Sequence, residues 1–456
     1  MQVNKSSKQT TVKQRPVSID LFAGAGGMSL GFEQAGFDVV AAVEIDPIHC
    51  TTHQYNFPKT EVIPKSVESL SATEIRARAA IGDREIDCVF GGPPCQGFSL
   101  IGQRSLDDPR NNLVIQFIRL VSELNARSFV FENVKGLTLG SQRVFLDELI
   151  AECSRVGYDI VHPWQVLNAC HFGVPQDRER VFLLGVRRGE TLPSYPSTIS
   201  TGNSMRSLFE EATPTCFEAL GDLPDVERYE ELRITDSVSH SDMQNRTSYA
   251  SSLRCEKADD WHFGYRRVWD PSVLTSSART EHSSISRRRF SETPQGSVEP
   301  ISRFFRLAQG GISNTLRAGT DASRGAFTSP RPIHYEYARC ITVREMARLH
   351  GFPDWFRFHA TKWHGARQIG NSVPPPLARA VAAMVLRAIT GGGQATMPPE
   401  ALELGDHALL QIDMSSASYR LGVEVPIQKR DRRSGRGKRS QQEIESFRLE
   451  HNHGGL

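Results

Sequence analysis

The 456-residue sequence lacks the hallmarks of several large protein classes. No apolar run is long enough to cross a bilayer, and residues 1–15 are polar, without the apolar core of a signal peptide. None of the eight cysteines belongs to a Cys-x-x-Cys pair, so their spacing favours neither a zinc site nor a disulfide framework. We therefore expect a cytoplasmic protein with reduced thiols, no metal and no membrane contact.

The sequence also has little excess charge of either sign. Lys and Arg number 54 and Asp and Glu 52, so the net charge alone does not indicate a nucleic-acid partner. Positive charge is concentrated instead in short runs, at 287–289 and 429–433. Such runs are usually solvated faces or disordered ends, and we expect much of 430–456 to be mobile.

The first 190 residues alternate between apolar, β-rich segments and helical patterns. Helical spacing groups Val144, Phe145, Leu149 and Cys153 on one face of a helix. Alternation of this kind predicts an open parallel α/β sheet, whose chemistry lies at the carboxyl ends of its strands. The predicted strands are 17–22, 37–45, 87–90, 128–131 and 180–186.

Regular patterns become sparse after about residue 190. Residues 191–335 are rich in Ser, Thr, Arg, Pro and Gly, which favours an irregular second domain or a set of large loops. Helices are predicted again at 343–349 and 377–389, the second lying between a run of prolines and a run of glycines.

Residues 20–27 (DLFAGAGG) form a glycine-rich turn between a predicted strand and a helix. Glycines let a backbone pass close to a ligand, although an ordinary tight turn would look similar. The full dinucleotide fingerprint is absent, because Ser29 stands where its last glycine would be. Glu44 ends the next strand, where an acid can accept both hydroxyls of a ribose. The combination indicates an adenosine-containing ligand without specifying which one.

Residues 91–99 (GGPPCQGFS) are a more specific pattern. Prolines stiffen the loop, and a cysteine held there at a strand's carboxyl end is placed as a nucleophile. An isolated cysteine would more often be a small buried hydrophobe. Glu132 follows another strand and could be a general acid, a metal ligand or a helix cap, and its partnership with Cys95 favours the acid.

Gln176, Arg178 and Arg180 alternate on the way into the last predicted strand, so their side chains are expected on one face. Two arginines on one face suit an anionic or carbonyl-rich ligand. A salt-bridged strand edge would look similar.

These patterns, in this order, resemble the DNA cytosine-5 methyltransferase family. The match runs from about 17 to 186 and from about 339 to 386, and residues 108–110, 131–137, 341–345 and 368–374 add to it. The resemblance implies a Rossmann-like S-adenosylmethionine-dependent methyltransferase sheet with a second, smaller, irregular target-recognition domain. It implies a flexible segment at 1–15, a catalytic domain at 16–190 completed by 365–393, a target-recognition domain at 191–340, a return segment at 341–364, and a C-terminal extension with a basic tail at 394–456.

The resemblance also implies a mechanism. Cys95 would add to carbon 6 of a flipped-out cytosine, and Glu132 would hydrogen-bond or protonate ring N3. Carbon 5 would then take a methyl group from S-adenosylmethionine. Arg178 would hold the base near its carbonyl, while Arg180 and Gln176 organise the site. The loop from Gln96 to about residue 111 resembles the family's mobile catalytic loop.

Binding residues follow from the same resemblance by position. The family's aspartate for the adenine amino group is replaced by Ser66, so either Ser66 or Glu68 is expected to make that contact. The cofactor residues implied are Phe22, Ala23, Gly24, Gly26, Glu44, Ile45, Ser66, Pro94, Leu113, Asn371 and Ser372. The DNA-binding residues implied are Gln96, Ser99, Arg110, Thr315, Leu316 and Arg317.

Three other functions are compatible with parts of the sequence. An amino-group methyltransferase needs no covalent nucleophile, and Cys95 occupies the position of its loop aromatic residue. A tRNA cytosine-5 methyltransferase would share nearly all these residues, but the long 191–335 insert argues against it. A catalytically silent DNA-binding module has no use for a nucleophile. We expect a monomer acting on double-stranded DNA at the nucleoid, with a cognate restriction endonuclease as a further partner.

Overall fold

The computed structural model describes residues 15–94, 111–140, 142–198, 200–201, 211–240, 247–320, 329–393, 398 and 400–423. Several expectations fall outside these residues: those on Cys95, Gln96, Ser99 and Arg110, the mobility of 430–456, and most of the flexible segment at 1–15. No helix in the part of the chain that the structure describes is long and apolar enough to span a membrane.

A central sheet organises the first half of the chain, and eight of its strands lie within the described residues. The predicted strands are present with shifted ends, and three short strands (β3, β6 and β7) were not predicted. The strands are β1 (Val17–Leu21), β2 (Asp38–Val43), β3 (Glu61–Ile63), β4 (Cys88–Gly91), β5 (Ser128–Val134), β6 (Tyr158–Ile160), β7 (Gln165–Asn168) and β8 (Glu179–Arg187).

The strand order is β3-β2-β1-β4-β5-β8-β6, with β7 also paired to β8. The first five strands in this order are mutually parallel, as the alternation of strands and helices predicted. The strand predicted at 180–186 is not parallel: β8 runs antiparallel to β5, β6 and β7. The expectation of a parallel sheet therefore holds for these five strands but was wrong for β8, which follows β7 through residues 169–178 without a crossover α-helix.

Helices cover both faces of the sheet. The helices of this region are α1 (Gly27–Ala35), α2 (Pro47–Asn56), α3 (Ala72–Arg78), α4 (Asn112–Glu123), α5 (Gln142–Arg155), α10 (Lys362–Asn371) and α11 (Pro375–Ile389). One buried cluster joins α3, α4 and α5 to one face, and a second joins α1 and α11 to the other. The backbones of α1 and α11 approach closely at Gly31. A Cβ atom at this position would lie 2.5 Å from that of Ala378, so only glycine fits there.

The segment from 200 to 349 has short elements and several small apolar clusters. Its described elements include α6 (Cys216–Leu220), α7 (Ser248–Leu253), α8 (Ser284–Glu292), α9 (Val343–Leu349) and the short strands β9 (Ser200–Thr201), β10 (Glu211–Ala212), β11 (Val238–Ser239), β12 (Arg266–Val268) and β13 (Val273–Leu274). Val226, Leu232 and Leu274 form one minor cluster. The largest apolar cluster here also includes Leu30 and Phe57, so this segment packs on the sheet region rather than around a core of its own.

Residues 400–423 fold back onto the rest of the chain. Their elements are β14 (Ala401–Glu403) and α12 (Met414–Leu421), and β14 pairs in parallel with β12. Leu409 and Leu410 pack against Tyr55 on α2. This part of the C-terminal extension therefore bridges α2 and the segment that contains β12.

Candidate active site

A cavity of about 840 Å³ opens at the carboxyl ends of the parallel strands β1, β2, β4 and β5. This is the position at which open α/β sheets bind their ligands, and the volume suits a nucleoside-sized molecule together with a second small group. The turns after these four strands supply most of its wall, and the loop at 318–320 and the end of α10 close the opposite side.

The turn after β1 holds the carboxylate of Glu44 in place. The Gly24 N–H donates a hydrogen bond to Glu44 Oε2 at 2.7 Å, and the N–H groups of Ile45 and Asp46 donate to Oε1 at 2.8 Å each. Phe22 has a φ of 65° and Gly24 a φ of 56°, so the backbone of this turn is left-handed at both positions. Glu44 is thereby fixed at the cavity wall before any ligand binds.

Asp20 lies behind this turn and also lines the cavity. Its carboxylate accepts a hydrogen bond from Ser29 Oγ at 2.6 Å, and Ser29 Oγ lies 3.0 Å from His53 Nε2. Burial raises the pKa of Asp20 to about 8; the bond from Ser29 opposes this rise, and the charge of Glu44 adds to it. Burial therefore favours the neutral form of Asp20 over a wider pH range than in an ordinary aspartate.

Ser66 and Glu68 occupy the wall between β3 and α4. Ser66 Oγ caps the turn that follows it by accepting from the Glu68 N–H at 3.3 Å, and it lies 3.3 Å from Glu68 Oε2. Asn112 Nδ2 donates to Glu68 Oε1 from the first turn of α4. The serine hydroxyl is thus already engaged locally, whereas Glu68 is held toward the cavity by contacts from both sides.

Glu132 and Arg180 form an ion pair at the other end of the cavity. Arg180 Nε lies 3.0 Å from Glu132 Oε1, and the Glu132 side chain is only 11% exposed. A Cβ atom on Gly92 would lie 2.5 Å from Glu132 Oε2, so glycine leaves room for the carboxyl group there. Burial raises the pKa of Glu132, and this outweighs the opposing charges of Arg180 and Arg178. The neutral form of Glu132, which can donate a proton, therefore persists to higher pH than in an ordinary glutamate.

Arg178 and Gln176 connect the sheet to the later part of the chain. The Arg178 guanidinium donates to the carbonyl oxygens of Leu316, Gly370 and Ser372 at 2.8–2.9 Å. The Gln176 side chain accepts from the Leu316 N–H at 3.1 Å. Arg178 lines the cavity while it makes these bonds, whereas Gln176 lies outside the cavity wall. Both side chains thus hold the 316–320 segment against the site.

The structure brings most of the sequence-predicted site residues to one cavity. Gly26 lies outside the wall, where its Cβ would meet the Phe57 ring at 2.3 Å. Arg317 is exposed, Leu316 is buried, and Thr315 Oγ1 donates to the Asp177 carbonyl at 2.6 Å. Those that line the cavity are Phe22, Ala23, Gly24, Glu44, Ile45, Ser66, Pro94, Leu113, Glu132, Arg178, Arg180, Asn371 and Ser372.

Sequence reasoning missed several polar residues of the wall. Those on the described part of the chain include Asp20, Asp46, His49, Lys65 and Arg367. Asp46 and His49 follow Glu44 directly into α2, so a search for polar residues just past each strand end would have found them. Within the described residues there is no group of three or more His, Cys, Asp or Glu side chains that could hold a metal ion.

The sequence matches the family of C-5 cytosine-specific DNA methylases over residues 17–387. The chain belongs to this family. It is 54% identical to the Type II methyltransferase M.XorII of Xanthomonas oryzae over 413 residues, which cover 91% of this chain and 94% of that protein. It is 33% identical to the Type II methyltransferase M1.HphI of Haemophilus parahaemolyticus, with 81% and 86% covered. This methylase is therefore a cytosine-5 DNA methyltransferase of the restriction–modification type.

A solved structure agrees with this placement. It is described as a DNA modification methyltransferase encoded within a prophage (E. coli), and it superimposes with a TM-score of 0.64 at 33% sequence identity. The superposition covers 82% of this methylase and 99% of that chain. The Rossmann-like methyltransferase sheet expected from the sequence is thus confirmed, and DNA is the substrate implied by the family.

Proposed function

We propose that this methylase transfers a methyl group from S-adenosylmethionine to carbon 5 of a cytosine flipped out of double-stranded DNA, through a covalent adduct with Cys95. The observation that carries the proposal is that a single cavity contains both the fixed carboxylate of Glu44 and the Glu132–Arg180 pair. A nucleoside cofactor and a target base can therefore meet inside one cavity. Pro94, the residue before Cys95, belongs to the same wall.

The residues present fit S-adenosylmethionine. Glu44 would accept a hydrogen bond from the ribose, Ile45 would pack on the adenine, and Glu68 rather than Ser66 would accept from the adenine amino group. Glu68 is preferred because Ser66 already caps its own turn. When bound, the cofactor supplies an electrophilic methyl group on a sulfonium.

The chain's own residues would prepare the base. The Cys95 thiolate adds to carbon 6, forming a sulfur–carbon bond and moving the ring electrons toward carbon 5, while neutral Glu132 gives a proton to N3. Carbon 5 takes the methyl group and then loses its own proton to a base. The sulfur–carbon bond breaks, the ring double bond returns, and N3 gives its proton back to Glu132. The raised pKa of Glu132 supports its role as the proton donor.

The position of these groups supports base flipping. Carbon 6 and N3 of a cytosine in a stacked duplex cannot reach the end of a cavity in which the Glu132 side chain is 11% exposed. We assign sequence readout to the 191–340 region, with exposed Arg317 as a candidate for contacting a base edge. We further propose that the methylase acts as a monomer on the genome in the cytoplasm, alongside a restriction endonuclease that cuts the same site.

Sequencing the DNA of a methylation-deficient bacterial host tests the activity and its target together. Expression of the methylase should place 5-methylcytosine at one recurring sequence motif, because readout and chemistry belong to the same chain. A Cys95→Ser strain is the matched control and should give unmethylated DNA. Methylation at cytosine N4, or 5-methylcytosine confined to RNA, would overturn the proposal.

Glu44→Gln should weaken binding of S-adenosylhomocysteine by about 10- to 100-fold, since a hydrogen bond to a charged acceptor contributes about 1.5–3 kcal/mol. Titration calorimetry measures this directly. Glu61→Gln is the matched control, because Glu61 on β3 is an exposed acid that pairs with Arg78 on α3. Equal affinities for the Glu44→Gln and Glu61→Gln proteins would remove Glu44 from the cofactor site.

A further inference from the structure

His49 lies on the first turn of α2, five residues after Glu44. The Asp46 side chain caps this helix by accepting from the N–H groups of Ile48 and His49, which fixes the direction in which the first turn leaves β2. The side chain of His49 is 7% exposed, and His49 lines the cavity together with Glu44. Its position is therefore set by the same strand end that positions Glu44.

The two ring nitrogens of His49 have different surroundings. Nδ1 faces the Glu44 carboxylate, with 4.0 Å between Nδ1 and Oε2. Nε2 is buried and has no hydrogen-bond partner among the described residues. A buried polar atom without a partner destabilises a protein, and because His49 is a residue of the cavity wall, a ligand in the cavity can supply the missing bond. Arg367, a second basic residue of this wall, instead stacks on Trp363 with 5.1 Å to the ring centroid.

The hydrogen bonds to Glu44 leave too little acceptor capacity for a whole ribose. A carboxylate offers roughly four acceptor positions. Three of the acceptor positions on Glu44 are already occupied by the backbone N–H groups of Gly24, Ile45 and Asp46. Room remains for about one hydroxyl, whereas a ribose presents two adjacent hydroxyls. The second hydroxyl needs another partner at the same place.

We propose that His49 is a further cofactor-binding residue, and that its Nε2 hydrogen-bonds the ribose hydroxyl that Glu44 does not take. The inference rests on the proposed function, because it assumes an adenosine cofactor in this cavity. A hydroxyl can both donate and accept, so it satisfies Nε2 in either tautomer of the ring. His49 and Glu44 would then hold the two hydroxyls of the diol as a pair.

Titration calorimetry with three ligands tests this pairing: S-adenosylhomocysteine and its 2′-deoxy and 3′-deoxy analogues. His49→Phe should bind S-adenosylhomocysteine about five- to tenfold more weakly than wild type, as expected for one hydrogen bond. One of the deoxy analogues should bind wild type about five- to tenfold more weakly than the parent ligand. His49→Phe should bind this analogue and the parent ligand with affinities within about twofold of each other, because the substitution has already removed the hydrogen bond to that hydroxyl. His364→Phe is the matched control and should behave as wild type, since the His364 ring packs edge-on against His359 and does not line the cavity.

The outcomes separate this inference from the proposed function. If wild type fails to bind S-adenosylhomocysteine, the cofactor assignment itself is wrong. Suppose instead that wild type binds S-adenosylhomocysteine and that this binding depends on Glu44. If each deoxy analogue then loses the same factor in affinity with wild type as with His49→Phe, only the His49 assignment is wrong. Should His49→Phe not fold, nitrogen-15 NMR of wild type decides the matter: the Nε2 resonance must shift with the parent ligand and not with the critical deoxy analogue. An unmoved resonance overturns the inference.

Discussion

Cys95→Ala should abolish methyl transfer, with no product detectable above background, while binding of S-adenosylhomocysteine stays within about twofold of wild type. The reason is that the proposed bond to carbon 6 requires the thiol, whereas Glu44 and His49, the proposed ribose contacts, lie after the end of β2 and on α2. Transfer of a radiolabelled methyl group to DNA measures the first quantity, and calorimetry measures the second. The separation of the two readouts distinguishes a lost nucleophile from a misfolded protein.

DNA carrying 5-fluorocytosine provides a second test of Cys95, in which wild type gives a signal and Cys95→Ala does not. Fluorine at carbon 5 cannot leave as a proton does, so wild type should remain attached to the DNA in denaturant and Cys95→Ala should not. Cys255→Ala is the matched control: Cys255 is half-buried on the described part of the chain, away from the cavity wall, and should still trap DNA. A Cys95→Ala protein that still methylates at a comparable rate would show that the covalent mechanism is wrong.

Glu132→Gln should reduce the single-turnover rate of methyl transfer by about 10²–10³-fold, the usual effect of removing a well-placed transition-state donor. DNA affinity should change much less, because the substitution keeps the shape of the side chain and the exposed surface. Rapid-quench measurement with enzyme in excess over DNA isolates the chemical step. Glu179→Gln is the matched control, since Glu179 is 40% exposed and pairs with Lys135.

The pH dependence gives a second readout of Glu132. Because burial raises the pKa of Glu132, its neutral form persists to higher pH than in an ordinary glutamate, and the rate should fall as the pH rises through that pKa. In Glu132→Gln this fall at high pH should be absent, since glutamine does not titrate. A rate within a few-fold of wild type and an unchanged pH profile would reduce Glu132 to a structural role.

The strand ends were the most predictable part of this site. Hydrophobic runs of the right length stop where the chain turns toward the cavity, so Glu44, Pro94 and Glu132 could be placed on one edge from sequence alone. Within helices the prediction was less accurate. Val144 was expected on the buried face of α5 but is 53% exposed, and Leu146 is buried instead. One position corresponds to 100° around a helix, so a small error in phase exchanges a buried residue for an exposed one.

Long-range contacts could not be predicted. The alternation of Gln176, Arg178 and Arg180 was expected to give one shared face, but β8 begins only at Glu179, and the period of two holds only within a strand. Gln176 is directed instead to Leu316 and Leu349, far along the chain. The helix α2 was also missed, because its sequence is polar for a helix that is almost wholly buried. The burial of Tyr55 on this helix depends on residues 404–410, whose partner no local pattern identifies.

The packing of α11 on α1, and of residues 400–423 on α2, fixes when this enzyme can form during its synthesis. Both early helices leave the ribosome with most of the chain still to be made, and their covering partners emerge last. Until then, the apolar surface that includes Phe32 of α1 and Phe90 of β4 lacks the cover that α11 supplies. A chain that terminates before residue 375 is therefore left with an exposed apolar surface that favours aggregation.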